Sequence, residues 1–207
     1  MLLGEDVRLA VAGRTDAGVH AEAQVASIGT SSRLEPARIA RALAGLLPAD
    51  LAARRVTEAG AGFDARRDAL ARRYEYRVLT GPPSALRRGR TLHHPGPLDR
   101  GRLADAAGRA EGRHDFRAFT PTQTQHRMFE RRLFVCAWEA RDDELVLVVE
   151  GDAFLRYMVR VLAGTLLLVG RGAWAPERMD ALLAGAPRGA AGPTAPAHPL
   201  ALVGVRY

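Results

Sequence analysis

Residues 128–141, MFERRLFVCAWEAR, and residues 144–151, ELVLVVEG, are two long runs rich in β-branched and aromatic side chains. Only Asp142 and Asp143 separate them. Two such runs joined by a two-residue polar turn predict an antiparallel β-hairpin. A chain with so long a hairpin carries an antiparallel sheet, and the remaining segments are read around it. Strands are expected at VRLAVA (7–12), AQVASI (23–28), LAARRVTEA (51–59), RRYEYRVLT (72–80) and the closing LALVGVRY (200–207). In RRYEYRVLT, alternation puts Tyr74, Tyr76 and Val78 on one side. Helices are expected at ARIARALAGLL (37–47), RGRLADAAGRAEG (100–112), AFLRYMVRVLAGTLLLVG (153–170) and PERMDALLAG (176–185). The first follows a Ser31, Ser32, Glu35, Pro36 start signal, aligns Ile39, Leu43, Leu46 and Leu47 on one face, and stops at Pro48. The third places Met158, Leu162, Thr165 and Leu166 at helical spacing. Residues 81–99, rich in Gly, Pro and Arg, are a loop between two halves. Strands and helices interspersed in this way make an α+β fold with a mainly antiparallel sheet.

Charge narrows the partner. All 30 basic residues are Arg; there is no Lys and no Asn, and the net charge is +7. The isoelectric point near 10.8 fits a polyanionic partner. The missing lysines exclude a Schiff base and a lysine-containing phosphate loop. A single cysteine, Cys136, lies in the apolar stretch RLFVCAW and is expected to be a small buried core residue. With one cysteine there is no intramolecular disulfide and no Cys-rich zinc site, which points to a reducing, cytoplasmic setting. MLLGEDVRL lacks the pattern of a signal peptide. VLAGTLLLVG is too short to span a bilayer, so no membrane association is expected.

The chemistry has to come from a short list. The sequence has no GxSxG elbow, no HExxH and no GxGxxG after a strand. What it has is AGRTDAGVH (12–20), in which Arg14 and Asp16 sit between glycines just after an apolar run. Asp16 either pins a turn through nearby N–H groups or is a reactive acid. Asp16 and His20 are four residues apart without further ligands, so no metal is expected. A lone reactive aspartate needs a guanidinium to keep it ionised and oriented. A base acted on by it needs a flat partner, which Tyr74 or Tyr76 could supply; ordinary strand packing is the competing role for each.

These residues resemble a known family. AGRTDAGVHAEAQVA (12–26) is similar to the signature of the tRNA pseudouridine synthase A family. FDARRDALARRYEYRV (63–78), GRHDFRAFT (112–120), GDAFLRYMVRVLAGTLLLVGRG (151–172) and GPTAPAHPLALVGVRY (192–207) resemble its later blocks, in the same order. The resemblance implies an isomerase that turns uridine into pseudouridine in the anticodon stem-loop of tRNA, as a homodimer and without metal or organic cofactor. It implies Asp16 as the catalytic aspartate, with attack on the sugar or on the base left open. Arg14 is then the residue that helps extrude the target nucleotide, Tyr74 the one that stacks on the uracil, and Arg160 the partner of the Asp16 carboxylate. Arg66, Arg72 and Arg73 join a phosphate-tracking surface.

The implied fold is two ferredoxin-like halves forming one continuous antiparallel sheet with helices on one side. The halves are a catalytic N-terminal one over 1–90 and a C-terminal one over 91–207. Against the family pattern, the first strand and helix of the N-terminal half are missing before VRLAVAGRTD. An exposed sheet edge is therefore expected, and with it lower stability and activity, the extreme form being a chain that binds tRNA without turning it over. Ala44, Arg67, Pro199 and Ala201 are smaller departures; they touch local packing and RNA contacts while Arg14, Asp16, Tyr74 and Arg160 are retained.

Overall fold

A computed structural model describes residues 2–207 as two compact units. The smaller comprises residues up to Ala12 together with Val25–Asp68; the larger comprises Gly13–Gln24 and Ala69–Tyr207.

In the smaller unit, β1 (Leu9–Val11) pairs antiparallel with β3 (Ala26–Ile28), Leu9 opposite Ile28. Helix α1 (Pro36–Leu46) starts where Pro36 presets the first helical turn. Its apolar stripe is present, yet none of its residues is buried. The strand expected over 51–59 does not form: residues 51–60 adopt no regular structure. Their composition alternates too weakly to favour one face over the other. A tight turn follows, in which the Asp64 carboxylate accepts from the N–H groups of Arg66 and Arg67, both at 2.9 Å.

The larger unit is built on a seven-stranded sheet in the order β2-β9-β4-β8-β7-β6, with β5 added alongside β4. Its strands are β2 (His20–Ala21), β4 (Ala71–Leu79), β5 (Leu92–His93), β6 (Gly112–Asp115), β7 (Glu130–Arg141), β8 (Glu144–Gly151) and β9 (Leu200–Arg206). The hairpin β7–β8 turns at Asp142, whose φ of 51° is the left-handed conformation that Asp tolerates. The sheet is mixed, because β2 runs parallel to β9 and β5 parallel to β4. The hydrogen-bonded sheet also stops short of β1 and β3, which form a sheet of their own. In place of one continuous antiparallel sheet the structure therefore has a large mixed sheet and a separate two-stranded one. The short strands β2, β5 and β6 carry too few residues to show a period.

One face of the larger sheet carries Tyr74, Tyr76, Val78, Leu145, Leu147 and Val149, packed in a single apolar core with α2 (Arg100–Gly108) and α3 (Met158–Gly170). The core also takes in α4 (Arg178–Leu183) and Cys136, buried as expected, with burial pushing its thiol up. Tyr76 is fully buried, so it is excluded as a stacking surface for a base. Its hydroxyl has no hydrogen-bond partner among the described residues. An unsatisfied buried hydroxyl costs what a hydrogen bond would return. Tyr76→Phe is therefore expected to leave the thermal midpoint unchanged or higher; a fall of more than about 1 kcal/mol in stability would reveal a hidden partner.

The other face is charged. Arg141 donates two hydrogen bonds to Glu75, at 2.9 and 3.0 Å, and Arg77 donates a third at 3.0 Å. Burial pushes the Glu75 carboxyl up, but Arg141 and then Arg77 outweigh it and hold the group below its ordinary value. A carboxylate lowered in the folded state adds stability above its unfolded pKa, and that stability is lost as pH falls through the folded value. Glu75→Gln should thus be less stable than wild type at neutral pH, and the gap in urea midpoint should close below about pH 4.5. A gap independent of pH would assign the effect to packing.

Candidate active site

The loop after Ala12 is held at its base by one side chain. The Gln24 amide accepts from Gly13 N–H at 3.4 Å and donates to the Gly13 carbonyl at 2.6 Å. The loop then closes on itself. Val19 N–H donates to the Asp16 carbonyl at 3.0 Å, and Gly18 sits at φ 80°. A positive φ at the third position of such a turn is the type II geometry, which only Gly adopts without strain. Beyond it, β2 joins β9, and the His20 ring bonds the Gly89 carbonyl at 2.9 Å. Asp16 closes the turn through its backbone carbonyl and not, as expected, through its side chain, whose carboxylate turns to another partner.

That carboxylate meets Arg160, in the first turn of α3. Arg160 Nη1 donates to Asp16 Oδ2 at 3.3 Å, and the two side chains are only 16% and 22% exposed. Arg160 is fixed from behind, its Nε donating to the Ala195 carbonyl at 2.9 Å while Ala195 N–H donates back to the Arg160 carbonyl at 3.1 Å. Segment 192–195 comes this close because two glycines meet. A methyl group on Gly164 would lie 2.0 Å from the Pro193 carbonyl oxygen, and one on Gly192 would lie 2.8 Å from the Thr165 backbone. Gly192 N–H also donates to the Thr165 hydroxyl at 3.0 Å.

Tyr74, on β4, lies beside the same loop. A methyl group on Gly13 would touch its hydroxyl at 3.3 Å. Phe154 packs edge-on against its ring, 5.0 Å between centroids. Burial pushes the Tyr74 hydroxyl up to about 12, with Arg72 opposing and Asp16 adding. It is therefore a neutral phenol at physiological pH. Arg14 projects from the same loop as an exposed side chain.

Asp16, Arg160 and Tyr74, far apart in sequence, are thus brought together, and Arg14 stands at the exposed side of the loop. Two of the arginines assigned to a phosphate-tracking surface are engaged by the protein itself. Arg72 donates to the carbonyls of Ala69 and Asp152, and Arg73 pairs with Glu150 and Glu139. Gln24, Phe154 and the Ala195 carbonyl were not singled out from sequence. A backbone carbonyl leaves no residue-type signal, whereas Gln24 lies within the signature block and could have been found there.

A carboxylate with one oxygen held by a fixed guanidinium, beside a neutral phenol, can act as a nucleophile or a base. No group of three or more His, Cys, Asp or Glu side chains that could hold a metal ion occurs among the described residues. No helix among them is long and apolar enough to cross a membrane.

Comparison with known proteins bears on the same residues. Residues 106–207 match the family model described as tRNA pseudouridine synthase. The chain is 43% identical over its whole length to tRNA pseudouridine synthase A of Chloroflexus aurantiacus, covering 76% of that protein. It is 40% identical over its whole length to the Moorella thermoacetica protein of the same name, covering 84% of it. Against the one from Thermus thermophilus it is 42% identical over 99% of its length, covering 82% of that protein. Identity at this level across nearly the entire chain, spanning the Asp16 loop and the Arg160 helix alike, places it in the tRNA pseudouridine synthase A family.

Proposed function

We propose that this chain isomerises uridine to pseudouridine in the anticodon stem-loop of tRNA, with Asp16 as the attacking carboxylate. The observation that carries the reading is the Asp16–Arg160 pair, a half-buried carboxylate held by a guanidinium inside the AGRTDAGVH loop. The net reaction replaces the bond from uracil N1 to the sugar C1′ with one from uracil C5 to C1′. The hydrogen on C5 is lost and N1 gains one, so atoms balance without an oxidant or a reductant. A carboxylate suffices to attack and to leave; the reading leaves sugar or base as its target.

The other residues take roles around it. Tyr74, 7% exposed where Tyr76 is fully covered, is the ring assigned to the uracil. Arg14, exposed on the loop, fills the space left by the flipped nucleotide. Flipping is required because the reactive atoms are inaccessible within a stacked arm. The excess of arginine supplies the field that attracts the RNA. In this reading the enzyme works in the cytoplasm as a homodimer. Its fold is read as two ferredoxin-like halves, 1–90 and 91–207.

Release of tritium from tRNA carrying 5-tritiated uridine tests the reading directly. Release that stops at a stoichiometric plateau per tRNA supports it. Tight tRNA binding without release favours a chain that holds the RNA without turning it over, and neither binding nor release overturns both.

A further inference from the structure

We propose that Tyr157 is a positioning residue for the Asp16–Arg160 pair, holding the Arg160 guanidinium in place through its ring; this rests on the reading of Asp16 as the attacking group. Sequence periodicity predicts one helix from 153 to 170, but α3 starts at Met158. The interruption is Tyr157 itself, at φ 62° and ψ 1°. Among the described residues only Asp142 and Tyr157 adopt a positive φ without being glycine. Asp142 lies in a hairpin turn where its short polar side chain suits that conformation. Tyr157 has no such excuse. A bulky residue held left-handed at the entry of a helix is strained, and such strain persists where the surroundings over-determine it, often at functional sites.

The ring shows what the strain accompanies. The Arg160 guanidinium carbon lies 4.9 Å from the Tyr157 ring centroid, within cation–π range. Arg160 thereby has three anchors: the Ala195 carbonyl on Nε, Asp16 on Nη1, and the aromatic ring. The ring is itself fixed. Arg156 lies 4.6 Å from its centroid and donates from Nη2 to the Tyr157 hydroxyl at 2.9 Å. The Arg156 carbonyl in turn accepts from the buried Thr120 hydroxyl at 3.0 Å. The chain of contacts runs Thr120, Arg156, Tyr157, Arg160, Asp16. The Ala195 carbonyl and Asp16 hold two nitrogens of the guanidinium, and the ring adds a third contact that limits its remaining tilt.

Three variants separate ring from backbone. Tyr157→Phe keeps the ring and is expected to stay within about twofold of wild type in kcat. Tyr157→Leu keeps an apolar side chain and loses the ring; kcat should fall roughly tenfold with KM for tRNA little changed. Tyr157→Gly also loses the ring but relieves the backbone, so its kcat should fall as far while its Tm is no lower than that of Tyr157→Leu. A second readout isolates the path through Arg160. In an Arg160→Gln background, Tyr157→Leu should cost less than about twofold, because the group it positions is gone. Equal losses in both backgrounds, or wild-type kcat in Tyr157→Leu, overturn the proposal. Asp16→Asn is assayed in parallel. If Asp16→Asn still turns over, the underlying reading has failed; if it is dead while Tyr157→Leu is unimpaired, only this inference has.

Discussion

Asp16→Asn is expected to abolish tritium release from 5-tritiated-uridine tRNA, by roughly 10⁴-fold or more, while leaving a folded protein that still binds tRNA. Asn is isosteric with Asp and keeps an oxygen for Arg160, so the loop geometry survives. What it lacks is a charged oxygen able to form and release a bond. Losses of this size accompany removal of a nucleophile that works as a unit with its neighbours. The stability change should be small, because among the described residues only Oδ2 of the carboxylate is engaged, at 3.3 Å, and the turn at Asp16 is closed by its backbone carbonyl. Single-turnover rates and tRNA affinity are to be measured on the same preparation. More than a hundredth of the wild-type rate in the Asn variant would remove Asp16 from the chemistry.

Gly164→Ala should be the most damaging single methyl group in the larger unit. The added carbon lands 2.0 Å from the Pro193 carbonyl oxygen and 3.1 Å from its carbon, and both are backbone atoms. Neither a rotamer change nor a flexible tip can relieve that contact, so α3 and segment 192–195 must separate. Overpacking of this kind costs about 3 kcal/mol, and a thermal midpoint lower by about 10 °C is expected for a chain of this size. Activity should fall further than stability alone explains, because moving Pro193 moves the Ala195 carbonyl that fixes Arg160 Nε. Gly108→Ala is the control. A methyl group there meets nothing within 4 Å, at the end of α2, and helix propensity predicts a gain of about 0.5–1 kcal/mol. A Gly164→Ala midpoint within 1 °C of wild type would mean that the two backbones are not held together as described.

Long periodic segments were legible in the sequence. The hairpin of β7 and β8, the strand β4 with Tyr74 and Tyr76 inward, the closing strand and α2 all lie where their patterns place them. The short strands β2, β5 and β6 were not, because a period needs length to be seen; β6 was absorbed into a motif and β5 into a loop. The false strand at 51–59 came from a segment whose Val and Leu residues follow no period. At the site, residue type carried much of the information. An aspartate between glycines announces itself, whereas Arg160 was named only by the family resemblance; the structure sets the two 3.3 Å apart. The left-handed Tyr157 could not be read, since nothing in a tyrosine predicts that conformation. The carbonyl of Ala195 could not either, since every residue has one.

Strand β9 lies inside the sheet, between β2 and β4, although it is the last of the described elements to leave the ribosome. Until it emerges, β4 has only one long neighbour, β2 has none, and Ala195 is not yet in place to hold Arg160. A nascent chain therefore lacks this anchor on Arg160 until late, whatever the order in which its helices form. A chain ended before residue 195 has an incomplete sheet with β4 left open on one side, and the anchor on Arg160 is in place only when the last described strand enters between β2 and β4.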